Sequence, residues 1–399
     1  MSQSFSIKHL LKRVRDDSSV RSAFFVFVLT RALVFTIFIL GTNLTIIEPN
    51  RVFGRDMQET SISLSKAPVA RKLRALVWQA DAGWYLDIAK NGYEEKQFAA
   101  DDYHNWAFFP LYPLLWRFAA KLTGGFLLTG AALSNLFLFF ALVLLHKTAY
   151  AFTGDEATAH RAVFYIATFP MSYFFSIPYS ESLFLLLTVG SFYAAKRERW
   201  WLAGLTGALA TATRFNGILL LPTLALLFWQ QHRTLKPRAQ MLWLLLIPTG
   251  LLAFMFHLYR LTGNAFAFKD VLVVWGRRTG LFLRPLWEYL LNPLELSYAW
   301  DFKFLNFAAA ILALACGGIL LKRRQWSLAL YTLLSIFVAL SSQLMQGMAR
   351  YMMVVFPIFI VLAMVGRSPR LDQTIRTVFI ASLAILATLY AFSFTLTLG

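Results

Sequence analysis

The stretch Ala23-Phe-Phe-Val-Phe-Val-Leu-Thr-Arg31-Ala-Leu-Val-Phe-Thr-Ile-Phe-Ile-Leu-Gly-Thr-Asn-Leu-Thr-Ile-Ile47 carries a single charge. As a helix it extends about 37 Å, enough to cross a hydrocarbon core of roughly 30 Å. Lys8, Lys12, Arg13 and Arg15 precede it, as basic residues precede the apolar core of a signal peptide. That core is only about 7–15 residues long, so this run predicts an uncleaved first membrane helix.

Comparable runs recur to the other end of the chain. Further spans are expected near 126–150, 158–176, 181–195, 240–260, 304–321, 326–343, 351–366 and 374–397. Two shorter helices, 200–213 and 216–231, bring the count to about eleven. Of the 399 residues, 58% are hydrophobic and 15% charged, with a mean hydropathy of +0.58, too little polar surface for a soluble domain. The short alternating strands of a membrane barrel are absent, so backbone polar groups must pair within helices. An all-α polytopic membrane protein follows. No internal repeat or separate soluble domain is visible, and residues 1–399 are expected to form one membrane domain. Two long loops interrupt it, at 48–125 and 261–303.

The net charge of +18 invites a nucleic-acid reading, but Lys and Arg cluster at the ends of apolar runs. There they act as orientation signals and contacts to anionic lipid, and no nucleic-acid partner is expected. The N-terminus and the short loops around Lys147–Arg161, Lys196–Arg199, Arg233–Arg238, Lys322–Arg324 and Arg367–Arg376 hold nineteen basic and six acidic residues. All fall on one face if 107–122 lies at the interface instead of spanning. The positive-inside rule makes that face cytoplasmic and puts both long loops outside. Fourteen of the twenty carboxylates then lie on or near the outer side. The single cysteine, Cys316, allows no intramolecular disulfide.

In the first outer loop, Val69, Leu73, Leu76, Val77 and Ala80 follow helical spacing while Arg71, Lys72 and Arg74 face elsewhere, which predicts an amphipathic interfacial helix. Asp81-Ala-Gly-Trp-Tyr-Leu-Asp87-Ile-Ala-Lys-Asn-Gly-Tyr93 follows. In a helix Asp81 shares a face with Trp84, Tyr85 and Ile88, while Asp87 is rotated by roughly 120° and shares its face with Asn91. An acid flanked by aromatics suits a general base for a sugar hydroxyl; an N-cap is the alternative.

His104-Asn-Trp-Ala-Phe-Phe-Pro110-Leu-Tyr112-Pro113 offers a histidine for sugar or phosphate, or merely a solvated one. Pro113 suits the first turn of a helix. Phe169-Pro to Pro178-Tyr-Ser-Glu181 links two spans, with Glu181 either touching ligand or complementing a helix N-terminus. Thr213-Arg214-Phe-Asn216-Gly joins the two short helices. An arginine at membrane depth is costly, so Arg214 is a candidate for an anionic group or an internal salt bridge. Gly204 and Gly207 allow the helix before it to pack closely. Arg350-Tyr351 heads the tenth helix, where Arg350 can hold a phosphate beside backbone N–H groups or anchor the interface. Arg31 is given no role. No P-loop, GxSxG or HExxH occurs, and no His/Cys cluster has metal-ligand spacing.

At these residues the chain resembles the GPI mannosyltransferase II (PIG-V-like) family of GT-C glycosyltransferases. The matching stretches are Asp81 to Tyr93, Ala107-Phe-Phe-Pro-Leu-Tyr-Pro-Leu-Leu, Phe169-Pro to Pro178-Tyr-Ser-Glu-Ser-Leu-Phe, and Arg214-Phe-Asn-Gly. Ala349-Arg-Tyr resembles the donor-side turn of many GT-C enzymes.

The resemblance implies a GT-C-type bundle and a polyprenyl-phosphate sugar donor, dolichyl-phosphate mannose in eukaryotic members. It further implies an inverting displacement on the outer face, with a first-loop acid, here Asp81, as base. A mannosyltransferase of a prokaryotic cell membrane is expected, acting on a glycan, lipid or protein acceptor. Arg214 and Arg350 are the expected phosphate contacts. Trp84, Tyr85, His104, Tyr112, Glu181, Asn216 and Tyr351 are the expected substrate contacts. No cofactor is required by the sequence, and a divalent ion held by Asp81 and another outer carboxylate stays open. The alternative is a membrane transporter or lipid flippase, against which the lack of repeats argues.

Overall fold

The computed structural model describes residues 17–44, 80–126, 128–233, 239–293 and 303–391. All regular structure among them is helical. The helices are α1 (Ser18–Leu44), α2 (Asp81–Asn91), α3 (Leu111–Thr123), α4 (Thr129–Thr153), α5 (Glu156–Thr168), α6 (Glu181–Lys196), α7 (Trp200–Thr211) and α8 (Leu220–His232). They continue with α9 (Thr249–Thr262), α10 (Ala267–Asp270), α11 (Arg284–Leu291), α12 (Lys303–Lys322), α13 (Trp326–Leu340), α14 (Met348–Met352), α15 (Pro357–Val365) and α16 (Pro369–Ala391). Tight 3-10 turns cover Asn105–Ala107, Ser172–Ser176, Phe215–Leu219, Ala239–Leu246 and Val271–Trp275.

Among the described residues, five helical stretches are long and apolar enough to cross a bilayer: Ser18–Gly41, Thr129–Thr153, Ala239–Thr262, Lys303–Lys322 and Pro369–Ala391. Several expected spans are shorter or broken, and proline explains where. The segment 158–176 stops being α-helical at Thr168, because Phe169 must extend ahead of Pro170. Segment 240–260 starts as a 3-10 turn and becomes α-helical only after Pro248. Segment 351–366 divides into α14 and α15, with Pro357 opening the second piece, where its missing N–H costs nothing.

Helix α3 has thirteen residues and is about 20 Å long. Its Tyr112, Trp116 and Ala120 are buried, whereas Leu114, Phe118 and Leu122 are exposed. The helix expected over 69–80 falls outside the described residues apart from Ala80.

Helix α4 packs on α6, and α6 on α7. The approach of α7 to its neighbours depends on glycine. A methyl on Gly204 would stand 2.0 Å from the Trp243 carbonyl oxygen, and one on Gly207 would stand 2.6 Å from Ile247. Arg31 is buried in α1. It donates to the carbonyls of Ala167 and Ser172 and to the hydroxyls of Ser172 and Ser176, and so ties α1 to the end of α5.

The described parts of the two long loops meet. Trp106 and Phe109 of the first join Phe254, Leu258, Phe268 and Val271 from α9 and the second loop in one apolar cluster. The Leu111 N–H donates to Ala212 O (3.0 Å), which fixes the first loop against the end of α7. Helix α2 lies against α3 and the Asn105–Ala107 turn, and its first residue reaches Tyr179, just before α6, and Arg350 of α14.

Candidate active site

Asp81 is the first residue of α2, following Ala80 at φ 50°, and no side chain caps this helix. The N-cap alternative therefore does not describe Asp81. Its N–H donates to the Tyr179 hydroxyl (3.1 Å), and its Oδ2 accepts from Arg350 Nη1 at 2.8 Å. Arg350 Nε donates to Glu181 Oε1 at 2.6 Å, and Arg214 Nη1 reaches the same oxygen at 2.8 Å. Four charges from α2, α6, the turn after α7 and α14 thus form one chain: Asp81, Arg350, Glu181, Arg214.

Local geometry explains how each arrives. Glu181 opens α6 just after Pro178, with its side chain fully enclosed. Burying a lone carboxylate costs several kcal/mol, and two guanidiniums within hydrogen-bond distance offset that cost. Arg214 has extended backbone (φ −155°, ψ 146°) at the break between α7 and the next turn, which throws its side chain off the helix path toward Glu181. The Arg350 guanidinium lies over the rings of Tyr179 (4.5 Å) and Phe174 (5.0 Å), cation–π contacts that help to hold its fork.

Accessibility separates the two acids. The Asp81 side chain keeps 30% of its surface exposed and Glu181 keeps none, so a substrate can reach only Asp81. Arg350 stands between them, bonded to both.

Tyr85 extends the network: its hydroxyl pairs with Ser180 Oγ at 2.8 Å, and Arg214 contacts the same oxygen at 3.3 Å. Burial, reinforced by the charge of Glu181, pushes the Tyr85 phenol well above its ordinary range, so it remains a neutral hydroxyl. Two cations lie near the Tyr351 ring, with Arg214 5.6 Å and Arg277 5.4 Å from its centre. Arg277 also donates to the Tyr351 hydroxyl (2.9 Å), Ser342 Oγ and Gln346 O. Among the described residues Arg277 meets only neutral acceptors.

Other expected contacts lie elsewhere. The Tyr112 hydroxyl bonds to Gly130 O and Ser134 Oγ in the core, where no substrate reaches it. His104 is buried against Glu94 (2.6 Å) and stacked on Trp106, which makes it neither solvated nor part of the charge chain. Trp84 stacks on Phe108 and meets Trp275 edge-on, joining an aromatic wall between the two loops. Asn216 is half-buried beside Arg214 in sequence. Asp87 accepts from Asn91 (2.9 Å) and Asn105 (3.0 Å) and faces away from Asp81, as the helical rotation predicts.

Arg350 differs most from expectation. It offers no free fork at a helix N-terminus, because Nε and Nη1 are both engaged by carboxylates. The sequence reading missed Arg277; its only signal was the Arg277-Arg278 pair in the second loop, which no periodicity places.

A family model described as Mannosyltransferase (PIG-V) matches residues 21–252. GPI alpha-1,6-mannosyltransferase 2 of Cricetulus griseus is 34% identical over 148 residues, covering 35% of this chain and 28% of that protein. The Homo sapiens protein of the same name is 28% identical over 260 residues, covering 57% of this chain. The chain thus spans 28% and 51% of these two relatives' lengths. Among solved structures, ArnT from Cupriavidus metallidurans bound to undecaprenyl phosphate shares the fold. Its TM-score is 0.51 at 10% identity, over 93% of this chain and 76% of that one.

Proposed function

The chain belongs to the mannosyltransferase (PIG-V) family, and on that footing we propose that it is a membrane glycosyltransferase moving mannose from a polyprenyl-phosphate donor to an acceptor hydroxyl. The observation that carries this reading is the chain Asp81–Arg350–Glu181–Arg214, in which one acid alone is open to substrate.

In this reading Asp81 takes the proton from the acceptor hydroxyl as its oxygen attacks the anomeric carbon. The bond from that carbon to the phosphate oxygen breaks on the opposite side, so the configuration inverts and polyprenyl phosphate departs with the electron pair. Arg350 aims Asp81, and Glu181 holds both Arg350 and Arg214 in place. Arg214 and Arg277, both near the Tyr351 ring, receive the phosphate and stabilise it as it leaves. The second cation makes up for Arg350, whose charge already faces two carboxylates. In this reading the arginines carry that role without a metal at Asp81.

We place the site on the outer face of a prokaryotic cell membrane, with about eleven crossings in a single domain. The shorter helices are proposed to complete those that the five long ones begin. The acceptor belongs to the glycan, lipid or protein class.

The decisive experiment supplies purified, reconstituted protein with radiolabelled polyprenyl-phosphate mannose and an acceptor extract. Label moving to the acceptor supports the reading. Lipid crossing between leaflets without sugar transfer would overturn it in favour of a flippase. Orientation is checked by labelling Glu198→Cys and Leu235→Cys from each side; access from the outside alone would reverse the site's placement.

A further inference from the structure

The opposite end of the bundle holds a second cluster. Helix α4 runs about 36 Å, and Ser134 near its start sits beside the Tyr112 hydroxyl. His146 lies twelve residues, about 18 Å, further along, away from Asp81. The chain turns at Gly154, Asp155 caps α5 by accepting from Thr158 N–H, and Glu156 and His160 follow one helical turn apart. The turn folds α5 back along α4, and the three side chains meet. His146 Nε2 lies 3.5 Å from Glu156 Oε1, and His160 Nε2 lies 3.7 Å from the same oxygen. One ligand atom from each residue falls within 4.8 Å of the others.

These distances are too long for N–H···O hydrogen bonds. They do fit a shared ion: with metal–ligand bonds of about 2.1 Å and tetrahedral angles, two ligand atoms stand roughly 3.4 Å apart. His146 is 2% exposed, yet its Nε2 has no hydrogen-bond partner. A buried ring nitrogen left so is costly, and it points at the other two groups. Ser18 at the start of α1 donates to Glu156 Oε1, which holds the carboxylate in place and links a third helix to the cluster.

We propose that His146, Glu156 and His160 form a binding site for a divalent transition metal, zinc foremost, which cross-links α4 and α5. Two imidazoles and one carboxylate suit zinc or cobalt and disfavour magnesium or calcium. Glu156 and His160 remain about half-exposed, which leaves an entry path and room for a water as fourth ligand. Spacing along the chain could not reveal the site, because His146 comes from a different helix.

The test uses the full chain in detergent, dialysed free of metal and titrated with cobalt. The wild type is expected to bind one cobalt per chain with the visible absorption of a tetrahedral site. His160→Gln, at a surface position where folding is not at stake, should weaken binding by more than about 100-fold, since even outer partners of metal ligands are worth 10–100-fold. His146→Gln should act alike. Zinc should raise the unfolding temperature of the wild type and leave that of His160→Gln unmoved. Wild type that binds no cobalt, or His160→Gln that binds as well as wild type, would overturn the site. So would loss of the cobalt spectrum in Asp81→Asn with its retention in His160→Gln, which would move the metal to the other end.

Discussion

Asp81 and Arg350 stand 269 positions apart in the chain and 2.8 Å apart in space. The guanidinium that meets Asp81 is itself held by Glu181, so the orientation of the one accessible acid is set from inside the bundle. That linkage orders the expectations that follow.

Replacing Asp81 by Asn keeps the volume but removes the proton acceptor. The variant should fold, bind donor nearly as wild type does, and turn over about 10²–10⁴-fold more slowly. Asp87→Asn should do the reverse. Asp87 is buried and accepts from two amides, so an amide in its place confronts Asn91 and Asn105 with a donor and loses about 1–3 kcal/mol of stability. Turnover of its folded fraction should stay near normal. Rate assays paired with thermal unfolding separate the two, and a larger catalytic loss in Asp87→Asn would reassign the base.

Arg214→Ala and Arg277→Ala should each weaken donor binding by about 1.5–3 kcal/mol, the worth of a hydrogen bond to a charged group. Lysine should restore only part, since an ammonium cannot match phosphate with a planar fork. Isothermal titration with polyprenyl phosphate measures this directly. Unchanged affinity in both alanine variants would remove the phosphate from the vicinity of Tyr351.

Arg350 should behave differently from Arg277, while Arg214, which shares Glu181 with Arg350, combines both effects. Arg350→Ala leaves Glu181 buried with half its pairing, and breaking a buried pair costs about 3–5 kcal/mol, so the main effect is on stability. Restoring balance with Glu181→Gln in the same chain should recover much of the unfolding temperature without recovering turnover. A double variant no more stable than Arg350→Ala would mean that the two groups are not energetically coupled.

Gly204→Ala tests the packing that positions Arg214. The added methyl would meet the Trp243 carbonyl oxygen, backbone that cannot rotate away. Overpacking of this kind costs about 1–3 kcal/mol. Gly318→Ala, where nothing lies within 4 Å of the new methyl, is the matched control and should be nearly silent.

The membrane class, the helical content, the close-packing glycines of α7 and the divergence of Asp81 from Asp87 were all legible in the sequence. Each rests on a local property: the length of an apolar run, the absence of a side chain, or a rotation of 100° per residue. Helix ends were less legible, because Pro170, Pro248 and Pro357 break runs whose hydropathy continues unchanged.

The sequence offered an internal salt bridge as one reading of Arg214, which Glu181 completes, but the identity of the partners was not legible. Nothing near Arg350 in the chain indicates that Glu181 and Asp81 engage it, nor does anything near Arg277 place it on Tyr351. His146 likewise gives no sign of Glu156 and His160 folding back beside it. Charges inside a bundle must find partners to offset their lost hydration. Which partners they find depends on which helix ends the packing brings together, and that is a property of the tertiary structure alone.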